Sequence, residues 1–164
     1  MHKHLKTGAK APALTLPDQE GRKTKLSDFR GEWVVLYFYP KDGTTACTTE
    51  ACEFTEGLSA FRRMGARVIG ISPDSPDSHA RFAEKNHLKH ILLSDPEHEV
   101  IETYGAWGEK SIYGKKYMGV VRSTWLVSPE GRLSFHWPEV KAAGHAEEVR
   151  EKLAQIRRKG RKAA

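Results

Sequence analysis

The sequence predicts an α/β domain built on a central mixed sheet flanked by helices, with a β-hairpin at its N-terminal end. Two observations carry this. Residues 33–39 (WVVLYFY) and 67–72 (RVIGIS) are apolar runs too continuous for strands with one wet face. Helical spacing of apolar residues fills the stretches between and after such runs, the alternation that builds a layered sheet.

In chain order, 11–16 and 23–26 are short strand candidates on either side of the turn-rich PDQEG. The run at 33–39 is rich in Val and aromatic residues and stops at Pro40. Residues 47–64 predict one helix, since Ala51, Phe54, Leu58 and Phe61 recur at helical spacing and Gly65 follows. A second buried strand at 67–72 ends in the turn SPDSPDS. Then come an amphipathic helix at 77–87, a strand at 91–94 and a helix at 97–104 closed by Gly105. Pro129-Glu130-Gly131 separates strands at 123–128 and 132–137, and 144–158 is the last helix. The thioredoxin-like fold has this order of elements.

The chain has 164 residues, enough for one core without disulfide staples. No apolar run approaches the ~20 residues of a spanning helix, and residues 1–14 lack the apolar core of a secretory signal. A soluble cytoplasmic protein is expected. The formal net charge is +6, but Arg157, Arg158, Lys159, Arg161 and Lys162 stand together at the end. The expected organisation is one domain over 1–156 and a solvated, frayed basic tail over 157–164. No zinc-finger spacing, aromatic RNA-binding pattern or helix-turn-helix suggests a specific nucleic-acid partner.

Cys47 and Cys52 are the only cysteines. Without an export signal, such a pair points to redox or metal chemistry rather than a staple. The eight histidines offer no zinc-ligand spacing. His87 and His90 read as solvated helix positions, and His2 and His4 as a weak terminal grip at most. A strand ends at Tyr39, a loop follows, and Cys47 falls in the first turn of a helix. Open α/β sheets carry their sites beyond strand carboxyl ends. Helix N-termini favour thiolate over thiol through free N–H groups and the positive dipole end. Lowering a thiol from ~8.5 to ~6 takes about 3.4 kcal/mol, and the dipole gives only about 0.3–2 kcal/mol. A cation near Cys47 is therefore expected.

Pro40-x-x-x-Thr44-x-x-Cys47 resembles the active-site motif of the peroxiredoxins, P-x-x-x-T/S-x-x-C. A second cysteine in TTEACEF is similar to the Q-type branch, also called bacterioferritin comigratory protein. LPDQEGRK, LSDFRGEWVVLYFYPKD, VIGISPDS, LLSD, YGKKYMGVVRSTWLVSPEGRL and GHAEEV extend the resemblance along almost the whole chain. It implies that Cys47 is the peroxidatic cysteine and Cys52 the resolving one. Arg122 matches the family's active-site arginine and would be the missing cation. Pro40 and Thr44 complete the site, and Glu50 either orients Arg122 or favours the helix's first turn. Thr45-Ala46 departs from the Pro-Gly usual in the family. The implied reaction reduces hydrogen peroxide and alkyl hydroperoxides through a sulfenic acid and an intrachain disulfide. Thioredoxin would be the reductant. No metal or other cofactor is expected because sulfur carries the electrons, and the within-chain pair suits a monomer. The nearest rival is a thioredoxin-like disulfide oxidoreductase, which would be expected to carry C-x-x-C. A binding protein acting through its basic tail is the non-enzymatic alternative.

Overall fold

A computed structural model describes residues 5–163. Its central sheet has five strands: β3 (Trp33–Phe38), β4 (Ala66–Ser72), β5 (Ile91–Ser94), β8 (Ser123–Val127) and β9 (Leu133–Trp137). Their order is β5-β4-β3-β8-β9. β3, β4 and β5 run parallel, whereas β8 pairs antiparallel with β3 and with β9. The expected mixed sheet is present.

Strand alternation divides the central run between two cores. Val35, Tyr37 and Tyr39 pack on one face with Phe54, Phe61, Phe82, Val149 and Leu153. Val34, Leu36 and Phe38 pack on the other with Leu14, Phe29, Ile101, Tyr104 and Leu133. Every residue of 34–39 is buried, which is why the sequence shows no polar alternation there. Gly70 on β4 lets the Tyr37 ring approach, since a Cβ there would stand 2.6 Å from the ring carbon Cζ.

The remaining elements cover the sheet. β1 (Thr15–Pro17) and β2 (Lys23–Lys25) form the expected N-terminal hairpin, with bounds one or more residues shorter than predicted. Gly8 and Ala9 bond to Leu133 at the start of β9, with Gly8 N–H donating to Leu133 O at 2.7 Å, and Lys10 bridges to Arg132 just before it, so this segment covers the beginning of that edge. The helix expected at 47–64 is two segments, α1 (Thr45–Glu56) and α2 (Leu58–Arg63), interrupted at Gly57. Glycine is the weakest helix former after proline, and the apolar stripe continues across the break. Helix α3 (Pro76–Asn86) begins with Ser75 accepting from Ser78 N–H and ends on left-handed His87. Helix α4 is Glu99–Thr103.

Two departures have physical causes. β6 (Trp107–Ile112) and β7 (Lys115–Val120) form a hairpin that the sequence reading missed. Tyr113 and Gly114 both take positive φ at its two-residue turn. Its strands are largely exposed and lysine-rich, so no apolar alternation announces them. The last helix, α5 (His145–Ala163), extends past its predicted end at Arg158 into the basic segment. Its residues are good helix formers, and Gly160 alone does not stop it. Among the described residues, no helix is long and apolar enough to cross a membrane.

Candidate active site

Cys47 lies in the first turn of α1, at the carboxyl end of β3. The first intrahelical bond runs from Thr48 N–H to Thr44 O, so the Cys47 N–H precedes the bonded part of the helix. Thr44 is the N-cap residue with extended backbone. Its hydroxyl donates to Lys41 O at 2.9 Å, which tightens the turn and leaves the oxygen's lone pairs for another donor. Pro40 is half-buried and starts that turn directly after the buried Tyr39.

The expected cation arrives from the opposite end of the sequence. Antiparallel pairing sets Phe38 opposite Ser123, which brings Arg122 level with the turn that leads to Cys47. Arg122 Nη2–H donates to Cys47 Sγ at 3.2 Å, and Nη1–H donates to Glu50 Oε1 at 2.6 Å. Glu50, one helical turn after Cys47, is completely buried. Of the two sequence readings of Glu50, its contact is the one that orients Arg122. Burial pushes Arg122 down, but Glu50 and Cys47 outweigh it and the net shift is upward. Burial also pushes the Glu50 carboxyl from its ordinary 4.5 to about 7, against the pull of Arg122. Its Oε2 has no hydrogen-bond partner among the described residues, so ionising Glu50 leaves charge on an uncompensated atom.

Cys52 is half-buried on the same helix, and both thiols are free. Burial, with Glu56 beside it, pushes the Cys52 thiol up, so it remains protonated. Sequence reasoning missed Lys110 on β6. It donates to Val120 O at 2.9 Å and interacts electrostatically with both Arg122 and Cys47. No local motif marks Lys110, because its position depends on the unpredicted hairpin.

His90 corrects an expectation. It is buried, not solvated, bonding to Tyr37 Oη at 2.7 Å and to Thr55 Oγ1 at 2.9 Å. Burial holds its pKa down to about 3, so the ring is neutral. It cannot share a helix face with His87, because α3 ends at Asn86 and the chain reverses before β5. His2 and His4 lie outside the described residues.

A profile of the AhpC/TSA family matches residues 7–136. The chain belongs to this family. It resembles peroxiredoxin Bcp of Bacillus subtilis, with 44% identity over 94% of this chain and 99% of the relative. Peroxiredoxin Bcp of Escherichia coli is 42% identical over 88% and 93%. Among solved structures, a peroxiredoxin Q mutant from Xylella fastidiosa superposes with a TM-score of 0.89 at 35% identity, covering 94% of this chain and 98% of that one. The bacterioferritin comigratory protein of Xanthomonas campestris superposes at 0.86 with 38% identity, covering 92% and 99%. The peroxiredoxin assignment and the thioredoxin-like architecture both stand. The chain is a thiol peroxidase that acts on peroxides and draws on a thiol reductant.

In this peroxiredoxin both cysteines occupy one continuous helix. Residues five apart in a helix have Cα atoms ~8–9 Å apart and point about 140° from each other. A disulfide needs ~4.4–6.8 Å, so Cys47 and Cys52 cannot bond until α1 unwinds. Oxidation to the Cys47–Cys52 disulfide is expected to remove about one turn of helix and raise amide exchange over residues 48–54. Exchange mass spectrometry of reduced and oxidised protein measures this, and unchanged exchange in proven disulfide protein contradicts it.

Glu50 predicts a pH dependence of stability. A carboxyl that resists ionisation in the fold stabilises it at low pH, and that contribution disappears as pH rises from 4.5 through about 7. At about 1.4 kcal/mol per pH unit, the reduced wild type should lose about 3 kcal/mol across that window relative to Glu50→Gln. Urea titrations at several pH values test it, and parallel profiles would count against the buried carboxyl.

Proposed function

We propose that Cys47 carries the peroxidase reaction, toward hydrogen peroxide and alkyl hydroperoxides, and that Cys52 resolves it. The observation that supports this best is the Arg122 fork, with one nitrogen on Cys47 Sγ and the other on Glu50. Arg122 supplies the charge that the helix end alone lacks, and Glu50 fixes where that charge points.

The Cys47 thiolate attacks the terminal oxygen of the peroxide. The S–O bond forms, the O–O bond breaks, and negative charge builds on the leaving oxygen. Arg122 Nη2–H and the Cys47 N–H are donors for it, in the manner of an oxyanion hole. The attacked oxygen keeps its proton, so Cys47 becomes a sulfenic acid, and the leaving oxygen takes a proton from solvent and departs as water or an alcohol. The Thr44 hydroxyl, at the N-cap of the same helix, orients the peroxide by accepting a hydrogen bond from its O–H. Cys47 sulfenic acid then condenses with the Cys52 thiol, releasing water and forming the disulfide. Pro40 rigidifies the turn and removes a backbone donor that would compete there.

Thioredoxin is the proposed reductant, because an unwound helix offers Cys52 to a protein dithiol. A monomer suffices, since both cysteines come from one chain. The cytoplasm supplies the reducing pool the cycle needs. Residues 1–156 form the catalytic unit of this proposal, and 157–164 remain outside it, because every proposed site residue lies upstream.

Cys47→Ser should abolish peroxide turnover, while Cys52→Ser should consume about one peroxide per chain and stop at the sulfenic acid. Stopped-flow kinetics with intact-mass analysis separates the two, and turnover by Cys47→Ser would reverse the roles. Arg122→Ala should slow Cys47 oxidation by about 10²–10³, and Arg122→Lys should recover only part because it lacks the planar fork. Unchanged rates in Arg122→Ala would place the decisive cation elsewhere, with Lys110 the next to test.

A further inference from the structure

The turn at residues 40–44 is gripped from outside the active site by a group that the chemistry above leaves unused. Asp42, in the middle of the turn, accepts from Tyr39 Oη at 2.7 Å through Oδ1. Its Oδ2 accepts from Ser78 Oγ at 2.8 Å and faces His79 Nδ1 at 2.7 Å. The Asp42 N–H donates to Asp74 Oδ2 at 2.8 Å, and Asp74 is held in turn by the Ser72 hydroxyl at 2.6 Å. Through a single residue the turn is thus tied by two hydrogen bonds to α3, by one to Asp74 just beyond β4 and by one to Tyr39 just beyond β3.

His79 decides the character of this contact. Its side chain is fully buried, and that of Asp42 is only 6% exposed. His79 Nε2 lies 3.0 Å from Leu93 O, and a carbonyl only accepts, so Nε2 carries a proton. Nδ1 faces the Asp42 carboxyl, which already accepts from Tyr39 and Ser78. A proton therefore bridges Nδ1 and Oδ2, and the pair is a buried hydrogen bond. Asp42, Asp74 and His79 stand close enough together to suggest a metal site. Their atoms already hold one another, however, and the 2.7 Å separation of Nδ1 and Oδ2 is that of a hydrogen bond.

We propose that the His79–Asp42 pair is a positioning unit for peroxide reduction. It acts through the turn, setting the Thr44 hydroxyl and the first turn of α1 against the Arg122 fork. His79 touches no reacting atom. Thr44 Oγ1 donates to Lys41 O, next to Asp42, so a shift of Asp42 carries to the hydroxyl that orients the peroxide. The thiolate partner, Arg122, comes from the far side of Cys47 on β8's approach and does not depend on α3. Loss of the pair therefore separates two properties of Cys47: its specific fit to peroxide suffers, and its general nucleophilicity survives.

This rests on the peroxidase reading, and the test distinguishes failure of one from failure of the other. The full chain carrying Cys52→Ser serves as parent, so that one thiol reacts. In His79→Gln and Asp42→Asn, Cys47 oxidation by hydrogen peroxide should slow about tenfold or more, and alkylation by iodoacetamide should change less than about twofold. The double variant pairs two amides that can bond to each other, so it should recover part of the peroxide rate lost in His79→Gln. Far-ultraviolet dichroism confirms that each variant is folded. Should His79→Gln fail to fold, the near-isosteric Asp42→Asn carries the test. Peroxide and alkylation rates falling together, or neither falling, would overturn the positioning role. A peroxide rate that depends on added zinc or is lost to a chelator would overturn the proton-bridged pair. A parent that forms no sulfenic acid would instead refute the peroxidase reading itself.

Discussion

The guanidinium of Arg122 is the contact on which the site depends. It is the link between a buried carboxylate and a buried sulfur, and each nitrogen of its fork serves one of them. Burying either anion alone would cost several kcal/mol. Glu50 shows the cost directly, since even a 2.6 Å bond to Arg122 leaves its carboxyl pushed up to about 7. The same burial that makes Glu50 reluctant to ionise leaves Arg122 free to act as the counter-charge of the sulfur.

Around that fixed fork, the fold opposes two requirements. In the proposed cycle α1 holds Cys47 in place for attack and then releases it for disulfide formation. Its buried face, Cys47, Ala51 and Phe54, belongs to the core, and Phe54 stacks on Tyr37 at 4.6 Å. Thr55 bonds to His90, and Glu53 accepts from Gly144 N–H at the start of α5. These ties fix the second half of the helix, while its first turns are held through the Arg122 fork. Thr48 and Thr49 are modest helix formers, which favours opening there.

Histidines serve this protein through different hydrogen-bond partners, and burial alone does not decide their roles. His90 is buried among Tyr37, Phe54 and Thr55 with no carboxylate partner among the described residues, and stays neutral. His79 is as deeply buried but faces the Asp42 carboxyl on one side and a carbonyl on the other. His145 lies between, bonded to Thr124 in the core and to Glu148 at the surface, with burial pulling it down. Hydrogen-bond partners, more than depth, assign each ring its role.

The central strands, the sulfur-bearing helix and the Pro40, Thr44 and Cys47 motif were legible in the sequence because their signals are local. A run of apolar residues buried on both faces, a helix start after a turn, and two cysteines five apart each occupy a few consecutive positions. Arg122 was found through resemblance, yet nothing in its neighbourhood says that it meets Cys47, 75 residues away. The antiparallel register of β8 on β3 decides that. His90 was misread because its surroundings come from β3 and α1, and the β6–β7 hairpin was missed because its exposed strands bury too little to leave a pattern. Asp42 and His79, 37 residues apart, look like unrelated polar positions until α3 packs beside the turn. Periodicity records which face of an element is buried; which charged groups meet across elements is set by strand register and helix packing, and these exist only in the folded chain.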